Sequence, residues 1–316
     1  MTGTWRQAHR VAQVAAVHAQ EELGVRRDGY VDVFAAIRRA DVPVMFREMS
    51  DHFGTYISPA TSGPGILLNS GLAMPTIRHT AAHELGHHQF GHGDSFDRQL
   101  SFWDSQAPGI WTGPEMSAEA FAAWFLMPRP AVLRGLRLLG VDRPRSAEHA
   151  YRLATLLGVS FRGICRHLVN LDLVSASLAA GWVKAGRARV RARLAGPYAK
   201  TAPGEVHVLD TSTPETVAHV ADGDLLIATP AVDAELVAIC HDVAGLESVR
   251  VDESVEEQLD LLDEVRVACW RVTSEFVLPV RLGTNGSMLD AGDWSVVVKP
   301  VSVRNGIDLE WLERHQ

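Results

Sequence analysis

The sequence predicts an α+β fold in three units: a mixed helix-and-strand unit over residues 1–130, a basic helical region and linker over 131–200, and an acidic α+β unit over 201–316. Three observations predict it. Helical periodicities alternate with short strand-like runs up to residue 128, a helix-turn-helix-like pattern follows, and β-rich runs fill the last third. Net charge also changes sign at both boundaries, from −3 to +10 to −15 within a total of −8. With 316 residues, 47% hydrophobic and 22% charged, the chain can bury ample cores and is not of disordered composition.

The first unit opens with a helix near residues 4–23, where Trp5, Val11, Ala15 and His18 or Ala19 form one stripe and Gly24 closes it. A short helix follows over Val31 to Arg39. Val42 to Phe46, Phe53 to Ile57 and Ile66 to Leu68 read as strands, with a Thr61 to Gly65 turn before the last. A small sheet therefore packs beside the next helix, and one of its edges could hold an extended peptide.

That next helix carries Arg78-His79-Thr80-Ala81-Ala82-His83-Glu84-Leu85-Gly86-His87. His83 and His87 lie one turn apart on one face, a spacing that suits two imidazoles closing on one zinc. Glu84 is placed to take a proton from water at such an ion and pass it to a leaving amine. A His pair on a helix can also be a plain hydrogen-bonding pair. The slim apolar neighbours Ala81, Ala82 and Leu85 argue for burial, where unpaired imidazoles are costly.

A catalytic zinc needs a third protein ligand and an open position. The best source is the helix from Pro114, in its first turn, to the stop at Pro128. Glu115, Ala118, Ala122 and Phe125 recur on its inward face, and small Ala118 and Ala122 let it approach the His helix. Glu119, one turn on, is the rival ligand.

Residues 66–128 resemble the ImmA/IrrE family of metallopeptidases. The resemblance rests on the strand Ile66 to Asn69, on Arg78 and Thr80 before His83-Glu84-Leu85-Gly86-His87, and on a second block. That block is Glu-x-x-Ala-x-x-Phe-Ala-x-x-x-Leu-Met-Pro at Glu115, Ala118, Phe121, Ala122, Leu126, Met127 and Pro128. The resemblance implies a zincin-like peptidase domain with His83, His87 and Glu115 as metal ligands and Glu84 as the catalytic base. It also implies a regulatory protein as substrate, a helix-turn-helix repressor or antitoxin-like partner cut in response to stress or a mobile element, so that transcription changes. Zinc is the expected ion. Manganese or iron suits the same two-histidine, one-carboxylate set.

His88 and His92 are again one turn apart, yet Gly91 and Gly93 mark the helix end. A second metal pair is the lesser reading; one of the two instead lines the cleft or helps stabilise the tetrahedral oxyanion. His79 supports the site or faces solvent. Asp94 to Gly113 reads as a loop whose Phe96, Phe102, Trp103 and Trp111 wall the cleft or simply pack.

In the second unit, Ala150 to Leu157, the Gly158-Val159-Ser160 turn and Phe161 to Val169 form a helix-turn-helix pattern. Arg162, Arg166, His167 and Asn170 could face DNA, with pure packing the stronger alternative. Lys184 to Lys200 is basic and acid-free, a phosphate-holding stretch or a solvated linker.

The third unit offers strands at Val206 to Leu209, Leu225 to Ala228, Val265 to Trp270, Phe276 to Val280 and Trp294 to Val298, and a helix over Glu253 to Leu262. It serves sensing, substrate recognition or dimerisation, and its charge would attract a basic DNA-binding partner.

No apolar run reaches the length of a membrane span, and the first residues carry no apolar leader. Cys165, Cys240 and Cys269 are odd in number and far apart, which points to a reducing cytoplasm and against a disulfide frame. The leading expectation is a cytoplasmic zinc endopeptidase. Its rivals are a zinc-stabilised DNA-binding regulator without proteolysis and a ligand-sensing scaffold.

Overall fold

Alanines, rather than the larger residues expected, anchor the first helix. The structure, a computed structural model, describes residues 3–96, 113–209, 216–228, 245–249, 268–273, 287–291, 294–300 and 306–307. In α1 (Gly3–Glu22) the buried residues are Ala8, Ala12, Ala16, Ala19 and Gln20, while Val11 and Val14 are 51% and 59% exposed. Of the predicted stripe through Trp5, Val11, Ala15 and His18 or Ala19, Ala19 is buried, Trp5 and Ala15 are half-buried, and Val11 and His18 are exposed, so the stripe is corrected towards the alanines. The physical reason is proximity, since α1 packs on α4 (Gly113–Leu126) and only a small-residue stripe lets two backbones come close.

Gln20 completes that contact. Pro128 has no N–H to offer the Trp124 carbonyl at the end of α4. The Gln20 Nε2 group lies 3.4 Å from that carbonyl oxygen and donates to Phe125 O at 2.8 Å.

The chain forms two compact units, the first of Met1–Arg134, Leu157–Val159 and Val303–Gln316, the second of Gly135–Leu156 and Ser160–Ser302. In the first, Gly24 at φ +59° closes α1 as expected. Asp32 accepts from Ala35 N at 3.0 Å and so caps α2 (Val33–Arg39). The sheet comprises β1 (Val44–Arg47), β2 (Gly54–Ile57), β3 (Gly65–Asn69), β4 (Ser95–Phe96) and β12 (Gly306–Ile307), in the order β12-β1-β3-β2-β4. Strands β1 and β3 are parallel, with Val44 opposite Ile66; β2 runs antiparallel to β3 and β4. Pairing with β12, near the chain's end, was outside the sequence expectation.

Helix α3 (Met74–Gln89) is buried on every side from Thr80 to His87, because β2, β3, α2 and α4 all pack on it. Two glycines make this possible. A β-carbon on Gly54 would stand 2.5 Å from Thr80 Cγ2, and one on Gly86 would stand 3.1 Å from Ala118 Cα. Arg78, 1% exposed, donates to Val31 O and Gly158 O at 2.8 Å each and covers the Tyr30 ring at 3.7 Å. The Gly158 turn of the helix-turn-helix-like segment is therefore bonded to α3 within the first unit.

Helix α5 (Arg129–Leu138) spans the point where the first unit gives way to the second. The second unit then holds most of α6 (Ala147–Leu157), with α7 (Phe161–Asn170), α8 (Ala176–Ala185) and α9 (Arg187–Ala195). Helix α9 corrects the linker reading of residues 184–200. Ser160 caps α7 by accepting from Gly163 N at 3.0 Å.

Its described strands form two sheets. One is β5 (Val206–Leu209), β7 (Leu225–Ala228), β9 (Ala268–Val272) and β8 (Leu246–Ser248), in that order. The other is β10 (Ser287–Ala291), β11 (Trp294–Pro300) and β6 (Thr216–Val220). The expected strand at Phe276 to Val280 and helix at Glu253 to Leu262 lie outside the described residues, as does the aromatic loop over 97–112. No described helix is long and apolar enough to cross a membrane.

Candidate metal centre

Two helices with side chains spaced one turn apart meet here face to face. Along α3 stand His79, His83 and His87; along α4 stand Glu115 and Glu119. The helices mesh as a ladder: His79 Nε2 lies 2.8 Å from Glu119 Oε2, His83 Nδ1 lies 3.6 Å from that same oxygen, and His83 Nε2 lies 3.1 Å from Glu115 Oε2. His87 Nε2 completes it at 3.5 Å from Glu115 Oε2 and 3.1 Å from His83 Nε2.

The three atoms His83 Nε2, His87 Nε2 and Glu115 Oε2 thus form a triangle with edges of 3.1, 3.1 and 3.5 Å. Tetrahedral bonds of about 2.0–2.1 Å to one zinc require ligand atoms about 3.3–3.4 Å apart, so the residues fit an ion in that position. Protons fit less well. Each Nε2 carries at most one, enough for two of the three contacts, whereas a single cation satisfies all three at once. His83, His87 and Glu115 form the group of ligating side chains found close enough to hold a metal among the described residues.

Burial by itself would raise the Glu115 carboxyl, but hydrogen bonds and charge from His83 and His87 outweigh it and hold the group well below the usual carboxylate range. Glu119 behaves in the same way: burial opposes its ionisation, and His79 and then His83 reverse the outcome. Between the two expected third ligands, the convergent carboxylate is Glu115. Glu119 sits behind His83, on the ring nitrogen facing away from the triangle.

Glu84 is completely buried, and its carboxylate lies against Gly54 of β2, since a β-carbon there would stand 2.9 Å from Oε1. Two residues along the same strand, the Tyr56 ring stacks on His87 with centroids 6.4 Å apart. One strand face therefore borders both His87 and Glu84. Ser95 on β4 was absent from the sequence reading; its hydroxyl donates to Glu115 Oε1 at 3.3 Å.

His88 and His92 part company and form no second metal pair with each other. His88 Nδ1 meets the Tyr56 hydroxyl at 3.1 Å. Gly91, at φ +63°, turns the chain so that His92 N bonds His87 O at 3.0 Å, and the His92 ring folds back to put Nδ1 3.0 Å from His87 Nδ1. Burial first, then the neighbouring His87, pushes His92 down to about 4, so this ring is neutral at ordinary pH. The ladder itself was legible as a matched period, His79, His83 and His87 against Glu115 and Glu119. The backward fold of His92 had no such signal.

The residues proposed to face DNA divide. His167 is buried and unavailable, Arg162 and Asn170 are half-buried, and Arg166 is exposed. In the basic stretch, Arg187 bonds Glu205 at 2.9 Å, Arg191 donates to Ala202 O at 2.6 Å, and Arg193 bonds Glu148 at 2.8 Å. Three of the six cations read there as phosphate ligands are thus engaged inside the second unit.

No curated protein matches the chain. Residues 37–168 match the IrrE N-terminal-like domain of peptidase family M78, a span that contains the whole ladder, both motif blocks and the Arg78 to Gly158 bond. For residues 37–168, about two fifths of the chain, this match supports the resemblance to the ImmA/IrrE metallopeptidases.

Proposed function

We propose that the protein is a zinc-dependent endopeptidase that cleaves a regulatory protein in the cytoplasm, with His83, His87 and Glu115 holding the metal and Glu84 acting as general base. The observation that carries this reading is the triangle of 3.1, 3.1 and 3.5 Å formed by the three candidate ligand atoms inside a peptidase-family domain.

A zinc ion bound there supplies a Lewis acid for the scissile carbonyl and makes water acidic enough to attack near neutral pH. The chain's residues do the rest. Glu84 takes the proton from the attacking water and returns it to the departing amine. Its enclosure between α3 and Gly54 fixes the carboxylate, so little reorganisation accompanies the transfer. The substrate is a helix-turn-helix repressor or antitoxin-like protein, and its removal changes transcription under stress. The internal bonds of Arg187, Arg191 and Arg193 and the burial of His167 favour this reading over direct DNA binding.

The test uses full-length protein and Glu84→Gln. Both are expected to bind one zinc per chain. Glu84→Gln should capture an intact partner from cell extract that wild type then cuts, and a chelator should stop the cutting. A captured partner left whole by metal-loaded wild type, or a Glu84→Gln variant with full cellular effect, would sink the proposal.

A further inference from the structure

We infer that Glu119, held by His79, is a positioning residue that fixes His83 for metal binding through Nε2; the inference rests on the proposed metal reading. The geometry is specific to the ladder. The two carboxylates of α4 are one helical turn apart, about 5.4 Å of rise, and the His83 ring occupies the space between them. Glu115 Oε2 stands 3.1 Å from Nε2 and Glu119 Oε2 stands 3.6 Å from Nδ1, so each nitrogen of the same ring faces its own carboxylate.

An imidazole ligates through a nitrogen lone pair, and its single proton must then reside on the other nitrogen. A carboxylate facing Nδ1 favours the tautomer with the proton there and leaves Nε2 bare towards the triangle. It also resists rotation of the ring. Glu119 is itself anchored: the same Oε2 meets His79 Nε2 at 2.8 Å, and the two side chains are only 21% and 14% exposed. His79, Glu119 and His83 thus form a chain of contacts that ends at the ligand atom. His87 has a different back partner, the imidazole of His92 at 3.0 Å, so the negatively charged support falls on His83 alone.

The experiment measures zinc affinity of the purified full-length chain by competition with a chromophoric chelator, and the visible spectrum after cobalt replaces zinc. Glu119→Gln keeps the shape of the side chain and removes its charge. It should bind zinc about 10–100-fold more weakly and shift the cobalt bands. His79→Ala removes the anchor while leaving the carboxylate, and should cost less than Glu119→Gln. A purely structural role would lower the thermal midpoint of the metal-free protein and leave the affinity and spectrum of the folded fraction unchanged. Wild-type affinity and spectrum in Glu119→Gln would overturn this inference alone. Failure of wild type to take up zinc would overturn the metal reading and this inference with it.

Discussion

Gly86 of α3 and Ala118 of α4 meet backbone against backbone: a β-carbon on Gly86 would lie 3.1 Å from Ala118 Cα, 3.1 Å from Phe121 Cδ1 and 3.3 Å from Ala118 O. The contact sits between His83 and His87 on one helix and one turn after Glu115 on the other. It therefore sets the helix separation that brings the carboxylate to the imidazoles. Gly86 within His83-Glu84-Leu85-Gly86-His87 and Ala118 three residues after Glu115 are the two sides of this one contact.

Gly86→Val should accordingly push α4 away from α3. Overpacking of this kind costs about 1–3 kcal/mol, and the displaced carboxylate should weaken zinc binding as well. Urea unfolding of the metal-free protein reads the first effect and chelator competition reads the second. Unchanged zinc affinity in a destabilised variant would show that the ligand triangle tolerates wider helix spacing.

Arg78 gives a second expectation. Its guanidinium reaches Val31 O and Gly158 O in two directions from a buried position, with the Tyr30 ring beneath it. A lysine carries the charge without the planar fork, so Arg78→Lys leaves a buried carbonyl short of a donor. The expected loss is about 1–3 kcal/mol, read as a lower urea midpoint. Equal stability of the two proteins would mean that the clamp contributes geometry without free energy.

Much of the candidate metal centre was legible in sequence because its geometry is local to each helix. Histidines four apart on α3 and glutamates four apart on α4 specify two matching edges, and Gly86 and Ala118 specify how near they come. The buried face of α1 was less legible, because the expected stripe included Trp5 and Val11 beside Ala15 and Ala19. Val11 faces outward because the helix packs by closeness, through Ala8, Ala12, Ala16 and Ala19. Residues joined by tertiary turns were equally hidden: Ser95 reaches Glu115 from a neighbouring strand, and His92 reaches His87 through the left-handed turn at Gly91. His167, grouped in sequence with the residues that could face DNA, is instead buried in the core of the second unit.

Asp94 precedes Ser95 and ties that segment to the end of β2. It accepts from Ser58 N at 2.8 Å and from Thr61 Oγ1 at 3.0 Å, and these bonds, Ser58's first, hold its carboxyl below the ordinary value. The sign follows. A carboxyl with a depressed folded-state pKa stabilises the fold above its unfolded value, about 3.9, and the contribution vanishes as pH falls through the folded value. Asp94→Asn should therefore melt lower than wild type near neutral pH, and the gap should narrow as pH drops from about 5 towards 3. Thermal midpoints across that range check it. A gap that widens in acid would reverse the assigned sign.

Cys165 lies on the buried face of α7 and Cys269 within β9, and burial pushes both thiols up to about 12. A thiol of that pKa holds on the order of one part in ten thousand as thiolate at pH 8, and thiolate is the reactive form. In a Cys240→Ser background, which removes the remaining cysteine, the native protein should show almost no reaction with a disulfide-forming chromogenic reagent at pH 8. Two equivalents should react once urea unfolds the chain. Prompt reaction of one equivalent without urea would reveal local opening at α7 or β9, and repeating the assay with Cys165→Ser would say which, because only the thiol left in place can then respond.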